Sequence, residues 1–150
     1  MISDLSALLA VDARFKGLTI RNAVPEELTV HFDKDQCTQI FWNLVANGAE
    51  AIAGEGEIVI DAQVVRGTGG KGANLVSAVP RQIRISVRDN GCGMSESEVK
   101  RVFEPFFTTK KGGTGLGLAT VYRIVQSHGG RIDIESAKGQ GTTVVMHLPA

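Results

Sequence analysis

Residues 81–94 are RQIRISVRDNGCGM, and this stretch decides the fold. Apolar and polar residues alternate over 81–89, which predicts a half-buried β-strand. Asp89 ends that strand, and Gly91 and Gly93 follow it. A carboxylate at the end of a strand, followed by glycines, faces a cleft with little steric cover and can accept a hydrogen bond from an exocyclic amine. A simple Asp-Asn-Gly turn would produce the same pattern.

The segments around this strand predict a mixed, mostly antiparallel sheet. Strands are predicted over 17–24, 27–32, 57–65, 131–136 and 142–149, and helices over 4–13, 34–53, 96–102 and from Gly117 to Gly129. The second and third helices begin at capping patterns, Asp33 with Gln36 and Ser95 with Glu98. The predicted fold class is α+β, a two-layer sandwich with the helices on one face of the sheet.

Composition excludes several classes of protein. The 150 residues include 16 Lys+Arg and 16 Asp+Glu, so the net charge is zero and we expect no nucleic-acid partner. No apolar run reaches the roughly 18 residues of a membrane helix, and the start, MISDLSALLAVDAR, is not a signal peptide. Cys37 and Cys92 form no C-x-x-C pair, which disfavours a zinc site or a disulfide and favours the cytoplasm.

Glycine is in excess, with 18 of 150 residues, and much of it falls in clusters. The cluster at 67–72 has neither a Gly-Lys-Ser/Thr sequence nor a following helix, so it predicts an ordinary hairpin loop. The cluster from Gly112 to Gly117 opens a helix, whose N-terminus presents unpaired N–H groups suited to phosphate. Its spacing fits neither a Rossmann fingerprint, since position 118 is Leu118, nor a P-loop.

Two asparagines share one face of the long helix. Asn43 and Asn47 are four residues apart and are flanked by apolar residues. They are either core amides bonded within the protein or ligands, because an amide oxygen suits a hard cation such as Mg²⁺.

Together these motifs resemble the catalytic, ATP-binding domain of sensor histidine kinases, within the superfamily that includes gyrase, Hsp90 and MutL. Residues 43–51 (NLVANGAEA) resemble the N box, and 89–94 (DNGCGM) the first glycine box. Residues 103–110 (FEPFFTTK) resemble the phenylalanine box, and 113–119 (GTGLGLA) the second glycine box. The motifs occur in the family's order and cover nearly the whole chain, so the resemblance implies one catalytic domain over 1–150 with the Bergerat-type ATP-binding fold.

The resemblance implies a role for each candidate residue. Asp89 would accept the adenine amino group, Gly91 and Gly93 would shape the pocket, and Thr142 would support it. Asn47 would hold Mg²⁺, with Asn43 assisting at the metal or the phosphates. Residues 103–117 would form a lid, with Phe103, Phe106 and Phe107 either anchoring it in the core or facing a partner. The remaining candidates for the phosphate contacts are Lys110, Lys111, Gly113, Thr114, Gly115, Leu116, Gly117 and Leu118.

One departure bears on the reaction. Relatives that hydrolyse ATP place a water-activating glutamate one turn before the metal-binding asparagine, and here that residue is Asn43, which cannot take a proton. The resemblance therefore implies an ATP-dependent protein-histidine kinase, with little hydrolysis by the chain alone. Alternatives are an ATP-driven clamp of the Hsp90, MutL or gyrase type and an anti-sigma-type serine kinase.

The resemblance also implies partners for a two-component pathway. None of His31, His128 and His147 lies on a long amphipathic helix with a following acidic residue, so we expect the phosphoacceptor histidine on a separate dimerisation domain of the same parent kinase. A response regulator would receive the phosphoryl group next. We expect this chain to be cytoplasmic without membrane contact, and its parent is free to carry a membrane anchor.

Overall fold

The structure, a computed structural model, describes residues 17–28, 32–66 and 81–150. In these residues one sheet contains β1 (Leu18–Asn22), β2 (Gly56–Arg66), β3 (Arg81–Asp89), β4 (Arg131–Ser136) and β5 (Thr142–Pro149). The strand order is β1-β2-β3-β5-β4. β1 pairs parallel with β2, and all other neighbours pair antiparallel. The predicted mixed, mostly antiparallel sheet is confirmed.

In the part of the chain that the structure describes, three helices accompany the sheet: α1 (Lys34–Ala51), α2 (Glu96–Arg101) and α3 (Gly117–Ser127). The Asp33 carboxylate accepts a hydrogen bond from the Gln36 N–H at 2.9 Å and caps α1. Ser95 and Glu98 form a reciprocal capping box at the start of α2. Both predicted helix starts are therefore confirmed, because each cap satisfies N–H groups that have no partner inside the helix.

Four sequence predictions differ from the structure or lie outside the described residues. α1 ends at Ala51 rather than at residue 53, because Ile52 has extended backbone angles of φ −90° and ψ 119°. The predicted strand over 27–32 is not seen at its described ends, since Glu27 lies in a turn and the Leu28 N–H donates to the Pro25 carbonyl. The middle of that strand (29–31), the predicted helix over 4–13 and the glycine cluster at 67–72 lie outside the described residues.

The core lies between one face of the sheet and the helices α1 and α3. Alternate residues of each central strand point to this face, which is why their apolar positions are spaced by two. The buried members of the core are Ile40, Phe41, Leu44, Val45 and Ala49 from α1, Val121, Ile124 and Val125 from α3, and Ile58, Ile60, Ala62, Ile83, Ile85, Val87, Ile132, Val144, Met146 and Leu148 from the sheet. Helices on one face of the sheet confirm the predicted two-layer architecture.

The packing of α1 places its last turns against the end of β3. Gly48 is buried in α1, and a Cβ there would lie 3.1 Å from Ile58 Cδ1 and 3.2 Å from Asp89 Cβ. This close approach favours glycine, because a Cβ here would require Ile58 or Asp89 to shift by a few tenths of an ångström. The helix that carries Asn43 and Asn47 therefore runs past the strand end that carries Asp89.

The sequence also predicts two free cysteines and no membrane helix. Cys37 and Cys92 are both free thiols. Within residues 17–28, 32–66 and 81–150, no helix has the length and apolar character needed to cross a membrane.

Candidate functional site

Asp89 lies at one end of the candidate site. Its carboxylate is 9% exposed and accepts a hydrogen bond from the Gly91 N–H at 2.9 Å. Burial raises the pKa of this carboxyl, while hydrogen bonds from the backbone N–H groups of Gly91 and Thr142 and the charge of Lys110 act in the opposite direction. A desolvated carboxylate held by backbone donors is a strong and fixed hydrogen-bond acceptor.

The two glycines after Asp89 are confined on both sides. A Cβ on Gly91 would lie 2.7 Å from the carbonyl oxygen of Ala51, and a Cβ on Gly93 would overlap the carbonyl oxygen of Ala137. Gly93 also has a φ of +64°, which L side chains rarely adopt. The Cys92 N–H donates to the Ala51 carbonyl at 2.9 Å. The loop therefore passes between the end of α1 and the β4–β5 turn, with no room for side chains at either glycine.

Thr142 lies opposite Asp89 across the β3–β5 ladder. Ser136 Oγ donates to the Gly141 carbonyl at 2.9 Å and accepts from the Met94 N–H at 2.8 Å. Because the single Ser136 proton is used, the Thr142 hydroxyl is the donor in the 2.9 Å contact between the two hydroxyls. Sequence reasoning gave Ser136 no role, since no local pattern shows that it meets Met94 and Thr142.

The two predicted amides lie together at the other end of the site. Asn43 Nδ2 donates to the Gln39 carbonyl at 2.9 Å, which fixes the orientation of its amide. A Cβ on Gly117 would lie 3.2 Å from Asn43 Oδ1 and 3.5 Å from Asn47 Nδ2. Gly117 is the first residue of α3, so both amides face the start of that helix. Because Gly117 has no side chain, the space between the two amides and the start of α3 stays open.

The start of α3 is suited to an anion. Its N-cap residue, Leu116, makes no side-chain capping hydrogen bond, and Gly115 before it has a φ of +67°. Leu118 packs against the core and anchors the first turn. A helix start without a side-chain cap presents N–H donors and the positive end of the helix dipole. Of the predicted Gly113–Leu118 segment, the structure brings Gly117 next to the amide pair.

The two lid lysines have different positions. Lys110 Nζ lies 2.7 Å from Glu50 Oε2 and 3.4 Å from Asn47 Oδ1. Lys111 is exposed, and so is Thr114, whose hydroxyl accepts from the Leu116 N–H at 3.4 Å. Of these two lysines, Lys110 is the one whose contacts with α1 are described. Sequence reasoning gave Glu50 no role, although its position three residues after Asn47 places both on one helix face.

The three phenylalanines of the lid have separate environments. Phe103 packs against the core, with its ring centroid 5.4 Å from that of Tyr122. Phe107 lies beneath the guanidinium of Arg101, which is 4.3 Å from the ring centroid. Phe106 is 75% exposed and has a φ of 67°, and its N–H donates to the Gly115 carbonyl at 2.9 Å. One phenylalanine thus anchors the lid, and another faces outward.

A cavity of about 370 Å³ lies elsewhere in the fold. Its lining comes mostly from apolar side chains at the start of α1 and the far half of the sheet, including Phe32, Ile40 and Leu148. Cys37 also lines it, and burial raises the pKa of that thiol. Among the described residues, neither the amide pair nor the glycines at 91–93 and 112–117 line this cavity, so it is separate from the candidate site.

A metal at the candidate site would depend on amide oxygens. The described residues contain no group of three or more His, Cys, Asp or Glu side chains that could hold an ion. Mg²⁺ takes few protein ligands and completes its shell with phosphate and water, so the donor set of Asn47 and Asn43 fits it.

The three histidines lie in different parts of the chain. His128 caps the end of α3 and His147 lies in β5, while His31 is outside the described residues.

Comparison with known proteins finds relatives that cover nearly the whole chain. The family model for histidine kinase-, DNA gyrase B-, and HSP90-like ATPases matches residues 32–150. Sensor histidine kinase ZraS of Klebsiella oxytoca is 36% identical over 150 residues, covering 99% of this chain and 30% of that protein. Sporulation kinase A of Bacillus subtilis is 30% identical over 150 residues, covering 99% of this chain and 22% of that protein. The chain thus spans less than a third of the length of these relatives.

Solved structures show the same fold. Full-length ShkA in complex with AMPPNP superimposes with a TM-score of 0.77 at 29% identity, covering 99% of this chain and 29% of that chain. The catalytic domain of the histidine kinase ThkA, in a nucleotide-free form, gives a TM-score of 0.76 at 28% identity, covering 99% and 89%. The chain therefore belongs to the histidine kinase-, DNA gyrase B- and HSP90-like ATPase family, and it is homologous to the ATP-binding catalytic domains of sensor histidine kinases.

Proposed function

We propose that this chain is one catalytic domain that binds Mg-ATP and donates the γ-phosphoryl group to a histidine on a separate dimerisation domain. One observation carries the proposal: both amides of the pair face the start of α3, at Gly117, in the same site as the buried carboxylate of Asp89. The anion site matches the phosphates of a nucleotide, the two amide oxygens match its metal ion, and the desolvated acceptor matches its base.

The adenine end of the proposed site is formed by Asp89. Its carboxylate would accept a hydrogen bond from the exocyclic amine, and the side-chain-free surface at Gly91 and Gly93 would lie along the flat ring. Support comes from the N–H donors of Gly91 and Thr142, which hold the carboxylate in place. Thr142 acts on the pocket through this backbone contact and through its hydroxyl bond to Ser136.

The phosphate end is formed by the amide pair and α3. Asn47 would hold Mg²⁺, with Asn43 assisting, and the metal would neutralise phosphate charge when bound. The backbone from Gly113 to Leu118 would surround the phosphates, and Lys110 would reach them as a point charge. Lys111 is exposed on the same segment and is the second candidate for that contact.

The residues of the site favour transfer to a partner over hydrolysis. Asn43 occupies the position where a water-activating base would be needed, and an amide cannot take a proton. A partner imidazole nitrogen would form the new bond to the γ-phosphorus while the bond to the β–γ bridging oxygen breaks and ADP leaves. This absence of a base disfavours the ATP-driven clamp of the Hsp90, MutL or gyrase type.

The proposed partner is a histidine-bearing helical dimerisation domain of the same parent kinase, with a response regulator as the next acceptor. Exposed apolar side chains at the lid base and on α3 support contact with such a domain: Phe106, Leu116 and Tyr122. We further propose that the chain acts in the cytoplasm.

The test combines binding with transfer. The chain is titrated with Mg-ATP by calorimetry and then mixed with the histidine-bearing domain of a related sensor kinase such as ZraS. We expect acid-labile phosphate on that domain, and we expect both binding and transfer to be lost in Asn47→Ala. Asn22→Ala is the matched control, because Asn22 is exposed on β1 and its amide contacts only the nearby Val24 N–H among the hydrogen bonds described. Normal Mg-ATP binding by Asn47→Ala would show that the site is wrongly assigned.

A further inference from the structure

Lys110 connects the lid to α1 through three oxygen atoms. Its ammonium lies 2.7 Å from Glu50 Oε2 and 3.4 Å from both the side-chain oxygen and the backbone oxygen of Asn47. A lysine ammonium has three N–H donors and no acceptor, so these three oxygens match its full donor capacity. The contacts span 60 and 63 residues of sequence, which makes them tertiary contacts between lid and helix.

Glu50 determines where this ammonium lies. It follows Asn47 by three residues on α1 and forms the shortest of the three contacts, which is also the only one between opposite charges. The side chains of Lys110 and Glu50 are 37% and 49% exposed, so solvent weakens their attraction and the pair has little effect on global stability. Its effect is local, because it holds a lid segment whose other end is tied at Phe106 and Gly115.

The ammonium and a metal ion would need the same atom. Asn47 Oδ1 is the oxygen that the proposed function assigns to Mg²⁺, and it accepts from Lys110 Nζ in this structure. Two cations at one neutral oxygen repel each other, and the amide has no charge to offset that repulsion. A divalent ion at Asn47 therefore requires Lys110 to move away.

We propose that Glu50 is a positioning residue that holds Lys110 on Asn47, and that magnesium-nucleotide and this three-oxygen contact exclude one another. Binding of the ligand then releases Lys110 from α1, frees the lid, and makes the ammonium available to the phosphates. The proposal rests on the proposed function for the identity of the ligand, whereas the contact between lid and helix does not depend on it.

The first experiment uses no ligand. Hydrogen exchange of the lid amides over 106–115 is measured in the wild type, Glu50→Gln, Lys110→Met and the double variant. We expect each single variant to exchange roughly threefold to fivefold faster, and the double variant to exchange no faster than the singles. Glu96→Gln is the matched control, because it removes another exposed 2.7 Å ion pair, with Lys100, outside the lid. Unchanged lid exchange in Glu50→Gln would overturn the proposal.

The second experiment adds saturating Mg-AMPPNP. We expect the lids of the wild type and Glu50→Gln to exchange alike, because the ligand has already released Lys110. In calorimetry, Glu50→Gln should tighten AMPPNP binding about threefold with Lys110 present and have no effect in the Lys110→Met background. An effect that persists without Lys110 would mean that Glu50 acts directly on the nucleotide, which would also overturn the proposal. If the wild type binds no nucleotide, the proposed function fails, and the ligand-free experiment still decides whether Glu50 holds the lid.

Discussion

Gly117→Ala separates stability from nucleotide binding. Gly117 is the first residue of α3, and the added methyl group would lie 3.2 Å from Asn43 Oδ1 and 3.5 Å from Asn47 Nδ2. The new atoms therefore fill the gap between the amide pair and the start of the helix. This is the space that the proposed function assigns to phosphate.

The expected effect on stability is small. Gly117 is not among the glycines with positive φ, so alanine fits its backbone. Alanine favours a helix over glycine by up to about 1 kcal/mol. The 3.2 Å contact with Asn43 offsets part of this gain, because the hydrogen bond to the Gln39 carbonyl restrains that amide. We expect the free energy of unfolding to change by less than about 0.5 kcal/mol, and Tm by less than about 2 °C.

The expected effect on affinity is large. A charged phosphate would lose one or more hydrogen bonds from the start of α3, each with a contribution of about 1.5–3 kcal/mol. This corresponds to a Kd for Mg-ATP that is about tenfold to a hundredfold higher. Calorimetry measures the Kd, and thermal unfolding without ligand measures the stability.

The control substitution is expected to lower stability and to leave nucleotide affinity unchanged. Ala119→Gly lies two residues further into α3 and removes a methyl group, so it weakens the helix by about 1 kcal/mol without adding atoms to the site. We expect it to lower Tm while the Kd changes little. If Gly117→Ala keeps Tm and also binds Mg-ATP within about twofold of the wild type, phosphate does not approach the start of α3 and our reasoning fails.

Three further predictions address other parts of the molecule. Asp89→Asn should raise the Kd for ATP about tenfold to a hundredfold in calorimetry, because a charged acceptor is lost. GTP has an acceptor oxygen at that position, so it should bind the wild type weakly and should lose no affinity in the variant, whose amide N–H can donate to it. Hydrogen bonding from Lys138 and Ser95 lowers the pKa of Glu98 from 4.5 to about 2. A lowered folded-state pKa adds stability above pH 4.5, and this stability is lost as the pH falls towards 2. Tm should therefore decrease across that window, and it should decrease less steeply in Lys138→Met. Thermal unfolding followed by circular dichroism measures both. Phe106→Asn should keep Tm or raise it by up to about 3 °C, because asparagine tolerates the positive φ of this exposed position better. The variant should slow phosphoryl transfer without changing the Kd for ATP. Unaltered transfer would exclude Phe106 from the partner contact.

Much of the fold could be predicted because its signals are local. Alternation over 81–89 predicted β3 to the residue, the closing strand predicted over 142–149 matches β5, and the capping patterns at Asp33 and Ser95 predicted two helix starts. A strand half-buried against helices must alternate, and a helix start must satisfy its free N–H groups. The end of α1 was predicted two residues too late, because the side chain of Ile52 suits both a helix and the extended conformation it adopts.

Part of the candidate site has the same local character. Gly91 and Gly93 closely follow Asp89, and two glycines after an aspartate already predict a loop with little steric cover. Their contacts with Ala51 and Ala137 depend on tertiary packing. The spacing of Asn43 and Asn47 by four residues places their amides on one face of α1. These features depend on residues within one element, so the order of the amino acids is sufficient to find them.

The chain's order of residues is enough to specify β2 to β5, two helix starts, the position of Asp89 at a strand end and the shared face of the amide pair, because each depends on period, caps or neighbouring glycines. Packing decides the contacts between distant segments. Lys110 meets Glu50 across 60 residues, and Ser136 meets Met94 across 42. No local propensity encodes these pairings, since they exist only after the sheet register and the close approach of α1 at Gly48 bring the segments together.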